Sequence, residues 1–404
     1  MEYLADMLNR LSVIGLFALL AACSSPSQPA STEPTVDNTA TAPSNVLEGN
    51  DLGIGPGVDS SDAIDQASIA CLRRFFAQKL LTDAVNDYWS AEDMERYGPA
   101  DGELLYAEYD DKGDLHYLPA LMSIRRTRTE DERVLRVRWA TADSSGTPGD
   151  ARYVFDFLAR RTAEGVRLFF PLEYNTRNWE RRTVGPVEYI ISPEHIFSET
   201  EAREQVAAID RLSDFFGVEP FPITYYACTD PAALFRAKGF QHHVLMHTYA
   251  SGGRADTHDR VYAGNNKAIY THEIVHLFAQ RVFSNAPDLL NEGLATLLGG
   301  STEHDYAWHR ANMARYLEGD QPADLGAYCN THLQKYIDGE TSVPYMIGAL
   351  LCERVLRREG KAGLFRVFSA GSDPWPALIA YGITQETLTA ELLKEVRQPV
   401  PELR

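Results

Sequence analysis

The chain has 404 residues, 44% of them hydrophobic and 24% charged, with a formal net charge of −19. That length accommodates two folded domains, each with a buried core. Excess acid without a basic stripe excludes nucleic acid as the partner and leaves solvation as the plain meaning of the charge.

Residues 1–22 read as a signal peptide, because Arg10 precedes an apolar run from Leu11 to Ala22 that is too short to persist as a membrane span. The ending Leu20-Ala21-Ala22-Cys23 resembles a bacterial lipobox. The resemblance implies cleavage before Cys23, lipidation of its thiol, and attachment to the cell envelope, at the outer membrane facing the periplasm or at the cell surface. Residues 23–60 are rich in Ser, Pro, Thr, Ala and Asn and are expected to form a disordered tether.

Residues 61–185 are expected to form an α+β accessory domain. Ile64, Ile69, Leu72, Phe75, Phe76 and Leu80 recur at helical intervals, which predicts a helix over 63–81. Strands are expected at 104–109, 115–125, 133–141, 152–158 and 165–174. Leu135, Val137 and Trp139 alternate with Arg136 and Arg138, as in a half-buried antiparallel sheet. Arg125, Arg126, Arg128, Arg133, Arg136 and Arg138 read as a solvated strand face, with a local basic face as the alternative.

Residues 186–404 are expected to form the second domain. It opens with strands at 187–191, 223–227 and 244–249 and a helix at 199–216 closed by Gly217. His242, His243 and His247 read as loop or strand surface. The stretch Thr271-His272-Glu273-Ile274-Val275-His276 differs in kind. Two histidines four residues apart on a helix are separated by about 40° around its axis, so both rings project from one face and can grip one metal ion. Glu273 stands roughly 60° from His276, on the same side, where a general base would reach a water on that metal. The helix is expected to run to Phe283, with a turn at 284–287, Asn285 as cap and Pro287 at the first position of a returning helix. That helix brings Glu292 back toward His276 as a third ligand, and Gly293 and Ala295 would let the two helices approach. Ala279 and Val282 occupy the positions where the other common extension of the motif needs Gly and His.

With Leu290-Asn291-Glu292-Gly293-Leu294-Ala295 and Ser342-Val343-Pro344-Tyr345-Met346-Ile347-Gly348-Ala349-Leu350, the chain resembles the gluzincin metallopeptidases, and among them the aminopeptidase N relatives, over roughly 187–397. The resemblance implies a zincin-like domain with a small sheet, an active-site helix pair and a C-terminal helical bundle. It implies Zn2+ held by His272, His276 and Glu292, Glu273 as base, Tyr345 as transition-state hydroxyl, and a sheet edge that binds extended peptide. Two departures stand out. The His276 to Glu292 spacing is shorter than in the aminopeptidases, and Val261-Tyr262-Ala263-Gly264-Asn265-Asn266 carries no glutamate where they hold a substrate amino group. The expectation is therefore a membrane-anchored peptidase that is not a typical aminopeptidase. Alternatives are a catalytically silent, metal-braced lipoprotein that binds an envelope partner, or a hydrolase of another amide such as cell-wall peptide.

Beyond Gly300, helices are expected at 303–317, 321–337, 344–357, 362–368 and 384–396, punctuated by glycines. Four cysteines follow Cys23. Cys71, Cys228, Cys329 and Cys352 allow three disulfide connectivities, with Cys329 to Cys352 preferred and free thiols as the alternative.

Overall fold

The computed structural model describes residues 52–401 apart from 81–85, 98–101, 111, 143–147, 320–323, 332 and 334. The signal peptide, Cys23 and most of the expected tether lie outside the described residues. The architecture is α+β, as expected.

A first sheet runs in the order β1 (Gly53–Ile54), β2 (Leu118–Arg126), β3 (Glu132–Ala142), β4 (Pro148–Thr162), β5 (Gly165–Phe169). It is antiparallel except for β1, which pairs parallel with β2. Helix α1 (Ala63–Gln78) covers it. Asp62 caps this helix by accepting from the Ile64 N–H, and Phe75 and Phe76 pack edge-on and tilted against Phe157 and Trp139. Each of these fully buried rings contributes roughly 1.5–3 kcal/mol of burial. The alternation of β3 holds: Leu135, Val137 and Trp139 are buried opposite Phe157, Phe155 and Tyr153. Of the six arginines, Arg125 and Arg128 are exposed, as a solvated face requires, whereas three others are tied to carboxylates. Arg136 pairs with Asp156 directly across the ladder, and Arg133 and Arg126 reach α1 at Asp65 and Asp62.

Two expected strands are overturned here. Within 104–109 the chain instead ends the short helix following α2 (Ala91–Tyr97), namely α3 (Gly102–Leu105). The 165–174 strand stops at Phe169, because Pro171 fixes its own φ at −75° and starts α4 (Leu172–Thr176).

The second sheet begins with β6 (Glu180–Val184), β7 (Val187–Ile191) and β8 (Ile223–Cys228), and helix α5 (Glu199–Phe216) joins the last two. After α6 (Pro231–Lys238), β9 (Phe240–His243) crosses back to pair with β4 of the first sheet. The hairpin β10 (Gly252–Ala255) and β11 (Arg260–Gly264) then completes the order β10-β11-β8-β7-β6. No strand forms at 244–249. Met246 N–H donates to His243 O, and Leu245 N–H donates to the His243 ring, so the chain turns there. Strands β7, β8 and β11 are parallel and apolar on both faces. Tyr189, Ile191, Tyr225, Val261 and Ala263 face the helices, while Ile190, Tyr226 and Tyr262 join the core beneath the first sheet.

The helical layer comprises α7 (Thr271–Val282), α8 (Asp288–Gly299), α9 (Tyr306–Leu317), α10 (Val343–Phe368), α11 (Trp375–Leu378) and α12 (Leu388–Glu395). Gly360, at φ 64° and ψ −164°, breaks α10 where the sequence places a boundary. The expected helix at 321–337 is overturned: among the described residues of that range only Leu325–Tyr328 is helical, as a 3-10 turn, and Asp338 folds the following segment into a hairpin by accepting from Glu340 and Thr341 N–H. All four described cysteines are free, so Cys329 and Cys352 are not bridged. Among the described residues, no helix is long and apolar enough to cross a membrane.

Candidate metal centre

The loop that feeds α7 is held from both sides. Tyr189 and Tyr225 donate their hydroxyls to Ala268 O (3.0 Å) and Lys267 O (3.1 Å) from the sheet. From α5, Glu201 accepts from Ala268 N–H (2.9 Å) and Gln205 accepts from Tyr270 N–H (2.7 Å). Helix α7 therefore starts at a fixed point with no side-chain cap of its own.

The returning helix α8 starts at Asp288, with Pro287 at the cap position and no side-chain cap, so the expected role of Asn285 is overturned. Gly293 does not face α7. A methyl group there would overlap the Gly348 backbone, and one on Gly348 would overlap Leu289 O, so this glycine pair seats α10 on α8. The close approach to α7 is made by Gly299, whose added Cβ would meet the His272 backbone. Both contacts work on the same principle: only the absence of Cβ lets the backbones touch.

This packing brings the three expected ligands together. His272 Nε2 lies 3.2 Å and His276 Nε2 3.7 Å from Glu292 Oε2, and the donor atoms of the three all lie within 4.8 Å of one another. His272 Nδ1 is 2.8 Å from Gly300 O. A carbonyl only accepts, so Nδ1 carries the proton and a neutral ring turns the Nε2 lone pair toward Glu292. Two lone pairs 3.2 Å apart require a cation between them, a proton or a metal ion. Two imidazoles and a carboxylate are a donor set that fits a divalent transition metal. Among the described residues no other group of three or more His, Cys, Asp or Glu converges in this way. His242 and His243 are elsewhere, on strand β9: His242 and His247 are exposed, as expected, whereas His243 is buried and overturns the surface reading there. The His243 ring is stacked between Tyr153 and Phe235, and His242 Nε2 meets Ala151 O.

The electrostatics follow from burial and convergence. Burial lowers the proton affinity of His276, but Glu292 and Glu273 more than offset it and raise its pKa to about 9. Burial would raise Glu292, yet the two imidazoles hold it well below the usual carboxylate range. Glu273 is pushed up by burial, only partly countered by the imidazoles and by the Ala255 N–H of edge strand β10. Tyr345 stacks on His272, with centroids 5.9 Å apart and planes 16° apart. Burial, and then Glu292, keep its phenol protonated far above neutral pH.

Sequence reasoning missed three neighbours. Gly300 O fixes the His272 tautomer. Ala255 N–H faces Glu273. Asn291 lies close enough to His276 to favour its protonated ring. Asn291 adjoins Glu292 within a motif already singled out, so its place was legible there; the other two are backbone groups and leave no mark in a sequence. Comparison with protein-family models and with curated proteins finds no match to this chain.

Proposed function

We propose that this chain is a zinc-dependent hydrolase of peptide bonds, held at the cell envelope by a lipid on Cys23. The observation that carries the reading is the convergence of His272, His276 and Glu292, whose ligand atoms all lie within 4.8 Å of one another, with His272 Nδ1 held at Gly300 O. His272, His276 and Glu292 would hold the zinc ion. When bound, zinc supplies Lewis acidity, polarising a carbonyl and lowering the pKa of water.

The remaining chemistry belongs to the side chains. Glu273, buried and of raised proton affinity, accepts a proton from water at its carboxylate and returns it to the departing amine. Ala255 N–H orients that carboxylate. Tyr345, neutral at working pH, offers its hydroxyl to the oxygen that gains charge at the attacked carbonyl. Edge strand β10 has one flank paired to β11, and its other flank supports binding of an extended peptide by backbone pairing.

The test compares the parent with Glu273→Gln by elemental analysis and by digestion of a peptide library, with and without chelator. The expected result is one zinc per chain in both proteins and turnover at least about a hundredfold lower in the variant. A parent that binds zinc yet cleaves no peptide would support the metal-braced scaffold instead. Equal turnover in the two proteins would remove Glu273 from the mechanism.

A further inference from the structure

Behind the candidate centre, the peptide that fixes His272 is itself fixed. Gly300 O, which accepts from His272 Nδ1, shares a planar peptide with Ser301 N–H, and that N–H donates to His304 O (3.0 Å). His304 N–H returns a bond to Ser301 O (3.1 Å), closing a reciprocal pair. Gly300 enters this turn at φ 78°, where an added Cβ would collide with His304 O.

Ser301 O also accepts from His309, a buried residue in the first turn of α9 whose Nε2 lies 2.8 Å away. A carbonyl only accepts, so Nε2 carries the proton, and burial favours the neutral ring. Nδ1 is then an acceptor, and it lies 3.1 Å from the hydroxyl of buried Thr341. Thr341 belongs to the hairpin that leads into α10. There Tyr336 bridges Ser342, Ile337 N–H donates to Thr341 O (3.1 Å), and Ser342 caps α10 by accepting from Tyr345 N–H. Asn312, one turn further along α9, donates to Thr341 Oγ1 (3.1 Å) and Asp338 Oδ2 (2.5 Å), and His304 Nε2 meets Glu340 Oε2 (2.8 Å). His309 thus joins the turn behind His272 to the hairpin ahead of Tyr345. A rigid ring with a donor on one side and an acceptor on the other spans the two without rotatable bonds between them.

We propose that His309 is a positioning residue for the metal centre: its Nε2–H holds the Ser301 carbonyl, so the adjoining Gly300 carbonyl stays aimed at His272 Nδ1 and the His272 Nε2 lone pair at the metal position. This rests on the reading of His272 as a zinc ligand. Groups behind a ligating histidine set its ring orientation and hence the affinity for the ion.

The experiment measures two quantities on the full chain, at a temperature where circular dichroism shows each apo variant folded. One is the zinc dissociation constant, by competition with a chromophoric chelator; the other is the visible absorption of the cobalt(II)-loaded protein. His309→Leu, which removes both bonds at comparable volume, is expected to weaken zinc at least about tenfold and to change the cobalt bands. His309→Gln places an amide N–H near the Nε2 position, keeps the bond to Ser301 O, and should stay within about threefold of the parent. A purely structural His309 would lower the melting temperature in chelator and leave both readouts of the folded protein unmoved, and that result overturns the proposal. A Gln variant as weak as the Leu variant overturns it too. Should His309→Leu fail to fold, Thr341→Val removes only the hydroxyl at Nδ1 and is expected to weaken zinc about threefold. Parent affinity in that variant overturns the proposal as well. Neither readout requires turnover, so a parent that binds zinc and cleaves nothing removes the peptidase reading alone, whereas a parent that binds neither ion removes both.

Discussion

The Lys79 and Glu108 side chains in the first layer are buried, as are those of His272 and His276 among the candidate ligands of the helical layer, but their environments differ in one respect. Lys79 Nζ donates to both Glu108 oxygens (2.9 and 2.7 Å) and to Leu104 O (2.6 Å), and Trp139 Nε1 donates to Glu108 Oε1 (3.0 Å). Every donor there meets an acceptor and every charge its opposite, so the network is complete within the protein. At the helical centre two imidazole nitrogens, of His272 and His276, converge on one carboxylate oxygen of Glu292, with Glu273 beside them. Among the described residues no lysine or arginine ion-pairs with Glu273 or Glu292. A buried polar cluster that is internally satisfied specifies packing, whereas convergent imidazoles and a carboxylate without a lysine or arginine are a donor set for a cation.

The largest expected effect breaks the complete network. Lys79→Met leaves Glu108 buried with the Trp139 N–H as its remaining side-chain donor, which should lower unfolding free energy by about 3–5 kcal/mol in urea titrations. Lys79→Met combined with Glu108→Leu should recover much of that loss, since an apolar pair of similar volume no longer strands a charge. A single variant within about 1 kcal/mol of the parent would mean that the pair is not closed as described.

Glu292→Gln tests the other cluster. It should weaken zinc binding at least about a hundredfold, which removes about 3 kcal/mol of zinc-linked stabilisation, and it should also melt below the parent in chelator at neutral pH, because His276 loses the charge that raises its pKa. Paired melts with zinc and with chelator check it. Equal gains in melting temperature on adding zinc to the two proteins would remove Glu292 from the ligand set.

The smallest effect concerns Asp93, a buried carboxylate that accepts from Phe170 N–H (2.6 Å). Burial raises its pKa from 3.8 to about 6, with the Phe170 bond and Arg96 opposing and Glu173 and Glu92 assisting. Because the folded value lies above the unfolded one, its favourable contribution is complete below pH 3.8 and is lost as pH rises through about 6. Asp93→Asn keeps an acceptor for Phe170 and should be more stable than the parent by about 1–2 kcal/mol at neutral pH and nearly equal to it at low pH. Thermal melts across that range test the slope; parallel curves for the two proteins would refute it.

Legibility in the sequence followed the range of the determining interaction. The bounds 187–191 and 199–216 were readable because local signals agree: a period-two apolar run for β7, and Ser198 and Gly217 closing α5 from either end. The ligand triad was readable because helix geometry converts spacing into position. The partner of Gly293 was not, since a small residue announces a close approach without naming the element that makes it. Strand β9 is four residues of Phe-Gln-His-His whose pairing with β4 spans some 90 positions, and no local pattern encodes that. Tyr336 owes its place to a hairpin inside a segment that reads as helical until Asp338 folds it.

That pairing of β9 with β4 also has a temporal consequence. A ribosome delivers the chain from its amino end, and the first sheet has no Phe240 to pack on Tyr153 and Phe155 until residues beyond 240 have emerged. By then β6, β7 and β8 have been made as well, so one late, long-range closure joins both sheets. The ligand-bearing helices are synthesised only afterwards. In chain order, β9 thus closes the first sheet ahead of the segment that carries His272, His276 and Glu292.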